Sequence, residues 1–431
     1  MPALVQTGWM QRNPLGFLNR ALDRYGDTFT LRVLPVGELV VTCDPTVVET
    51  VFGDPITFRA GEANGRILPI LDCHSLLLSD GERHHDRRQL LAPAFHGTHV
   101  TRLHDHIVGC AERELDRWPM GKRFRLLPSM RSITLEVIIE ASIDIPDAQK
   151  RVELISGVRK MLAPASSAAL WLKRRDQRSR LSPGQIFERR RGAVHALIGH
   201  ETRRRRQAHD AGHYQDVLSV LMSALDREGR PLADADVCDE ITTLLIAGHE
   251  TTSVGLTWVF ERLLRHPGAL DRLRSDMTAG EHAYLDATIQ ETLRVRPPLT
   301  DAVRVATKSV DLAGHHLPPG TMIMIAIPLV HARADLFERP LSFSPERFLG
   351  THPSPHHWIP FGGGPRRCIG AALATFEMAT VIATVLARAD LHAALAVSEP
   401  ARLFGTALVP SGGGAVTLGR RFGRDDPRWR S

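Results

Sequence analysis

Phe361-Gly362-Gly363-Gly364-Pro365-Arg366-Arg367-Cys368-Ile369-Gly370 is the most informative stretch of the 431-residue chain. Three consecutive glycines remove side chains, so the backbone can approach a flat object closely and take turns barred to other residues. The residues that follow, Ala371-Ala372-Leu373-Ala374-Thr375-Phe376-Glu377-Met378-Ala379, are mostly good helix formers. Cys368 therefore stands at the mouth of a helix. Unpaired N–H groups and the positive dipole end stabilise a thiolate there, and Arg366 and Arg367 add positive charge. A thiolate on a Gly-rich turn is a candidate axial ligand for haem iron. The competing readings are a buried core thiol and a zinc ligand, but no CxxC or HxxxH pair stands nearby to complete a zinc site.

The ten residues resemble the haem-binding loop of the cytochrome P450 family: Phe, two residues, Gly, one residue, Arg or His, one residue, Cys, one residue, Gly. Phe361, Gly364, Arg366, Cys368 and Gly370 fill every fixed position. The resemblance implies haem b with Cys368 as its metal ligand. It also implies the family's mainly α fold with a small β region, in a single large domain over 1–431.

Apolar periodicity predicts a long helix over about 234–265, ended by His266-Pro267-Gly268. It contains Ala247-Gly248-His249-Glu250-Thr251-Thr252. A mid-helix Gly costs about 1 kcal/mol relative to Ala and lets something bulky press against the helix. The Thr251 hydroxyl can bond back to the carbonyl of Ala247 and loosen the ladder, and an opened turn beside Glu250 can hold water and pass protons. The segment matches the family's oxygen-activation motif throughout. By resemblance, Ala247, Gly248, Glu250 and Thr251 are catalytic, with Thr251 hydrogen-bonding the oxygen being activated and Glu250 in the proton relay. Ser253 excludes a metalloprotease start at His249-Glu250.

A second helix, over about 281–295 and stopped by Pro297-Pro298, carries Glu291-Thr292-Leu293-Arg294. The charges share one helical face. With Pro345-Glu346-Arg347-Phe348 downstream, Glu291, Arg294 and Arg347 resemble the family's buried structural network. Haem propionates need cationic partners. By resemblance His84 and Arg88 of Gly81–Arg88, together with Arg304 and Arg366, meet them; whether His84 or the adjacent His85 does so depends on helix phase. Val217 to Leu225 marks a further helix, Phe29–Val41 a hairpin, and Thr321–Ile327 a buried strand.

Five scattered cysteines in an odd number argue against a disulfide framework and for a reducing compartment. The N-terminus has no charged leader, and no stretch approaches the roughly 18 apolar residues that span a bilayer. The expectation is a soluble, cytoplasmic monomer. Net charge is +6, yet residues 173–206 hold twelve Lys/Arg against three acids, so this segment's +9 leaves −3 for the rest. That run reads as the solvated face of helices, with peripheral membrane contact as the minority reading. Without interleaved aromatics it does not read as a nucleic-acid site.

The expected activity is a haem-thiolate monooxygenase acting on a small apolar organic substrate and O2. No G-x-G-x-x-G follows a strand, so electrons are expected from an external ferredoxin or flavodoxin with its reductase, drawn to Arg366 and Arg367. Alternatives are a peroxide-driven peroxygenase, a non-catalytic haem sensor or carrier, and a haem-free interaction protein. The resemblance places the substrate pocket between about 59 and 78, at Leu244, Leu245 and Ala247, at Leu299–Val303 and at Thr406–Leu408. Asp301 is expected either to face it or to pair with Arg304.

Overall fold

Several helices open on a proline with a short polar cap before it. Asp44 accepts from the N–H of Thr46 at 2.8 Å ahead of helix Pro45–Gly53, and Asn13 does the same service for Pro14–Tyr25. The computed structural model describes residues 1–68, 75–163, 182–208, 215–225, 228–351 and 353–423. The long helix runs Asp234–Leu263, with Asp234 and Asp236 in its first turn, where the dipole favours acids. It packs on helix Leu126–Ser142. Val237, Ile241, Leu245, Val254, Trp258 and Leu263 are fully buried, as expected of a helix apolar all round. The Glu291 helix spans Ala283–Val295, and the cysteine helix Ala371–Arg388.

The expected hairpin pairs Thr28–Val33 with Gly37–Thr42 in antiparallel register. The buried strand Met322–Ala326 runs parallel to Gly37–Thr42 and antiparallel to Asp301–Ala306, and Phe58–Arg59 adds the fifth strand. All five residues of Met322–Ala326 are buried, because both of its edges and both of its faces are covered. One apolar core lies among the helices and a second under this sheet. The cavity described below is walled by the long helix, strand Asp301–Ala306 and the cysteine loop.

Two sequence expectations need correction. The cysteine helix is an 18-residue apolar segment of mean hydropathy 1.4, long enough to cross a bilayer, yet half of it is buried and Val381, Ile382 and Val385 sit fully in the core. Its composition suits a core helix. Residues 173–181 of the basic run lie outside the described residues, and nearly all the rest of it belongs to helix Pro183–Ala208. That helix is not a simple solvated face. Arg205 is fully buried, bonded to Glu201 at 2.9 Å and to Asp216 at 2.8 Å, and Arg190 donates to the Lys160 carbonyl at 2.6 Å.

Candidate active site

The cysteine loop is built on backbone contacts. The Cys368 N–H donates to the Phe361 carbonyl at 2.8 Å. Gly362 and Gly364 hold φ of +68° and +62°, the left-handed region open to glycine. Gly363 and Gly364 seat against Phe52, on helix Pro45–Gly53, while Gly362 lines the cavity. A Cβ at Gly363 would overlap the Phe52 ring, and one at Gly364 its carbonyl oxygen. Close approach was expected; at Gly363 and Gly364 its object is another helix.

Cys368 is exposed by area although densely surrounded by protein, because the surface it shows lines a cavity of about 470 Å³. The Gly370 N–H, Arg367 and Arg88 favour its thiolate, as the helix mouth promised, but burial outweighs them and raises the thiol's pKa. In the protein alone, the helix terminus is too weak to ionise the sulfur; a bound cation would reverse that balance.

Five basic side chains line the same cavity among the described residues: His84, Arg88, Arg304, Arg366 and Arg367. His84 is buried and His85 exposed, which settles the helix phase. Burial, helped by Arg366 and Arg88, lowers the His84 pKa to about 4, so it is neutral. Burial, then Arg366, brings Arg304 down to about 10. Arg304 donates to the Val303 carbonyl at 2.8 Å and lies over the Phe52 ring at 5.2 Å. Among the described residues, neither Arg304 nor Arg88 has a carboxylate partner in hydrogen-bond or ion-pair range. Arg366 differs: it is tied to Asp80 and to the carbonyls of Ser79 and Leu76. Asp80 also accepts from the N–H groups of Gly61 and Glu62, both at 2.9 Å. Arg366 thus clamps the loop to two helix starts, with three of its five N–H donors already engaged. Desolvated arginines short of anions beside a cavity-lining thiol are the donor set that a dianionic, iron-bearing macrocycle fits.

On the opposite wall, the Thr251 hydroxyl donates to the Ala247 carbonyl at 2.8 Å, as expected. The helix nevertheless runs uninterrupted through the motif, so the back-bond forms without opening a turn. A Cβ at Gly248 would meet Ile138 Cδ1 at 2.8 Å; the bulky group pressing there is Ile138. Glu250 is held side-on by Arg131, whose Nε and Nη2 each donate to one carboxylate oxygen, the Nε bond being 2.9 Å, and Arg131 also covers the Phe404 ring at 4.9 Å. His249 turns away from the cavity to the Thr134 hydroxyl at 3.1 Å, and burial lowers its pKa to about 3.

Glu291, Arg294 and Arg347 come together as expected. Arg294 makes two 2.7 Å bonds to Glu291, both side chains being fully buried, and Arg347 stands 3.4 Å from Glu291. Arg294 further donates to the carbonyls of His331, Pro340 and Ser342, and Glu291 accepts from the Ser344 N–H at 2.9 Å. Every N–H of Arg294 is thereby used and Glu291 accepts three hydrogen bonds, with Arg347 adding charge but no hydrogen bond; such saturation is the condition under which a buried ion pair holds. His331 extends the network to the loop. Its Nδ1 lies 3.0 Å from the Arg294 carbonyl, and its Nε2 accepts from the Ile359 N–H at 2.9 Å, two residues before Phe361. Only the neutral ring with its proton on Nδ1 satisfies both.

Of the expected pocket residues, Leu244, Ala247, Leu299, Asp301, Ala302, Val303, Thr406 and Ala407 line the cavity, with Ala60 to Leu68 and Leu76 to Leu77 contributing; 69–74 lie outside the described residues. Leu245, Thr300 and Leu408 do not, being buried in the packing behind it. Arg131, His331, Phe52 and Asp80 were missed. Asp80 alone carried a local signal, as a helix-capping residue type before Gly81; the others act across sequence separations of 28 to more than 100 residues.

The family model described as Cytochrome P450 matches residues 2–414. A Mycobacterium tuberculosis protein named cytochrome P450 135B1 is 38% identical over 96% of this chain and 89% of its own length. Another, named cytochrome P450 138, is 36% identical over 94% and 91%. Among solved structures, a retinoic acid-bound cyanobacterial CYP120A1 superposes with a TM-score of 0.81 at 23% identity, covering 95% of both chains. The haem domain of cytochrome P450DA gives 0.82 at 21%, over 99% of this chain and 96% of that one.

Proposed function

The chain belongs to the cytochrome P450 family and is a haem-thiolate monooxygenase with an external electron donor, and from that premise we propose its substrate type, its electron carrier and the roles of its residues. The substrate is a small, mainly apolar organic molecule, and the carrier a ferredoxin or flavodoxin served by a reductase. The observation that carries this reading is the single cavity shared by Cys368, the unpaired Arg88 and Arg304, and apolar walls such as Leu244, Leu299, Ala302 and Val303.

Cys368 holds the iron, and Arg88 and Arg304 hold the propionates, with His84 as a neutral hydrogen-bond partner. Bound haem supplies the redox chemistry by which one atom of O2 enters the substrate. The protein's part is to position, to exclude water and to move protons. Thr251 keeps its hydroxyl at the cavity wall through Ala247, where its oxygen can accept and relay a proton. Glu250 and Arg131 are each a little over a quarter exposed, so their pair connects that wall towards solvent. His249, tethered and neutral, is no part of the route. Arg366 is committed inward, which leaves the exposed Arg367 as the loop's contribution to carrier docking.

The test supplies purified holoprotein with ferredoxin and reductase, with flavodoxin and reductase, or with hydrogen peroxide alone, across a panel of apolar compounds. The expected result is product from a carrier-driven reaction. Equal yield from peroxide alone would indicate a peroxygenase, and no product under any supply, with haem bound, a sensor or carrier.

A further inference from the structure

We propose that Asp301 selects substrates whose apolar body carries a basic amine, an inference that rests on the monooxygenase reading of this cavity and narrows its substrate class. Asp301 opens the strand Asp301–Ala306 on the cavity wall. The Thr300 hydroxyl, itself buried, donates to Asp301 Oδ2 at 2.8 Å and fixes the carboxyl's orientation. Among the described residues, Oδ1 has no hydrogen-bond partner. It is also not sealed in the protein interior, so its free side is the cavity. The ion pair expected with Arg304 does not form; that guanidinium goes to the Val303 carbonyl and the Phe52 ring.

The other acids at the cavity are otherwise disposed. Glu250 is neutralised by Arg131, and Glu377, which also lacks a cation among the described residues, is buried on the cysteine helix nine residues after Cys368. Of the two cavity carboxyls without a cation among the described residues, Asp301 is the one that does not belong to the cysteine helix. Burial raises its pKa, opposed only by the Thr300 bond. A carboxyl so placed gains most from a ligand that brings its own positive charge, because a charge-assisted bond in a dry site restores what desolvation removed. A carboxylate-bearing ligand would meet repulsion at the same spot. An uncharged hydrocarbon would leave the carboxyl unsatisfied.

The test uses holoprotein and three probes of matched shape: N,N-dimethyl-3-phenylpropylamine, its carbon isostere (4-methylpentyl)benzene, and 4-phenylbutanoate. Affinities are measured by calorimetry for the wild type and for Asp301→Asn, whose haem content and carbonyl spectrum are checked on the same preparations. The expected result is amine binding about ten- to hundredfold tighter than the isostere in the wild type. The anion should bind weakest, and the amine's advantage should fall to within about threefold in Asp301→Asn. An amine bound no better than the isostere by the wild type overturns the proposal without any variant. So does a preference that survives Asp301→Asn, which would assign it to nitrogen ligation of iron. A preparation that binds haem without a sulfur ligand would instead refute the monooxygenase reading.

Discussion

At Gly364 two constraints coincide: φ is +62°, and a Cβ would overlap the Phe52 carbonyl oxygen. Left-handed backbone costs a non-glycine residue about 1–2 kcal/mol, and a backbone atom cannot swing aside as a side-chain tip can. Gly364→Ala is therefore expected to lose haem during purification while keeping most of its helical circular dichroism. Full haem occupancy in that variant would show that the loop does not depend on its seat against Phe52. At this scale the sequence was legible where the chemistry is contiguous. Cys368, its glycines, Glu250 and Thr251 lie in two short runs whose residue types state their job. Phe52 and Arg131 could not be read, because an aromatic in a helix and an arginine among many take their meaning only from the residue folded against them.

Between elements, helix Leu126–Ser142 packs closely on the long helix, with Ile138 against Gly248. Replacing a helical glycine by alanine is worth about 1 kcal/mol of propensity, while overpacking costs about 1–3 kcal/mol. Gly248→Ala should destabilise the wild type and stabilise an Ile138→Ala background; equal effects in both backgrounds, by chemical denaturation, would deny the contact. His331 joins three other pieces: the Glu291 helix, its own short helix Ile327–His331, and the approach to the cysteine loop. Burial, with the Arg294 charge adding, takes its pKa down from 6.5 to about 3. The unfolded chain takes up that proton near 6.5 and the folded chain does not. The stability it confers is therefore complete above about pH 6.5 and declines as pH falls towards 3. The stability gap between wild type and His331→Gln should narrow on acidification from pH 6.5 to 4; a constant gap would mean that the ring is already charged. Helix positions were legible from apolar period and from Pro and Gly stops, and both long helices end within two residues of expectation at their C-termini. This link was not, since it runs through backbone carbonyls.

Over the whole molecule, one helical core and one sheet-backed core meet at a cavity, and the residues that line it come from widely separated parts of the chain. The architecture was legible through family resemblance more than through periodicity, because the strands are short and most of their pairing is non-local. The basic run and the apolar cysteine helix misled for one reason: composition reports what a segment contains, and burial decides whether charge is solvated or apolar length spans anything. The cavity's cations and its thiol have one common explanation, an iron macrocycle bound through Cys368. The optical spectrum of the carbonyl adduct of the reduced holoprotein tests this most directly. An anionic sulfur ligand should give a strongly red-shifted Soret band in the wild type that Cys368→Ala abolishes. A Soret band at the shorter wavelength of a neutral-ligand adduct, in fresh and undamaged wild-type protein, would contradict the assignment.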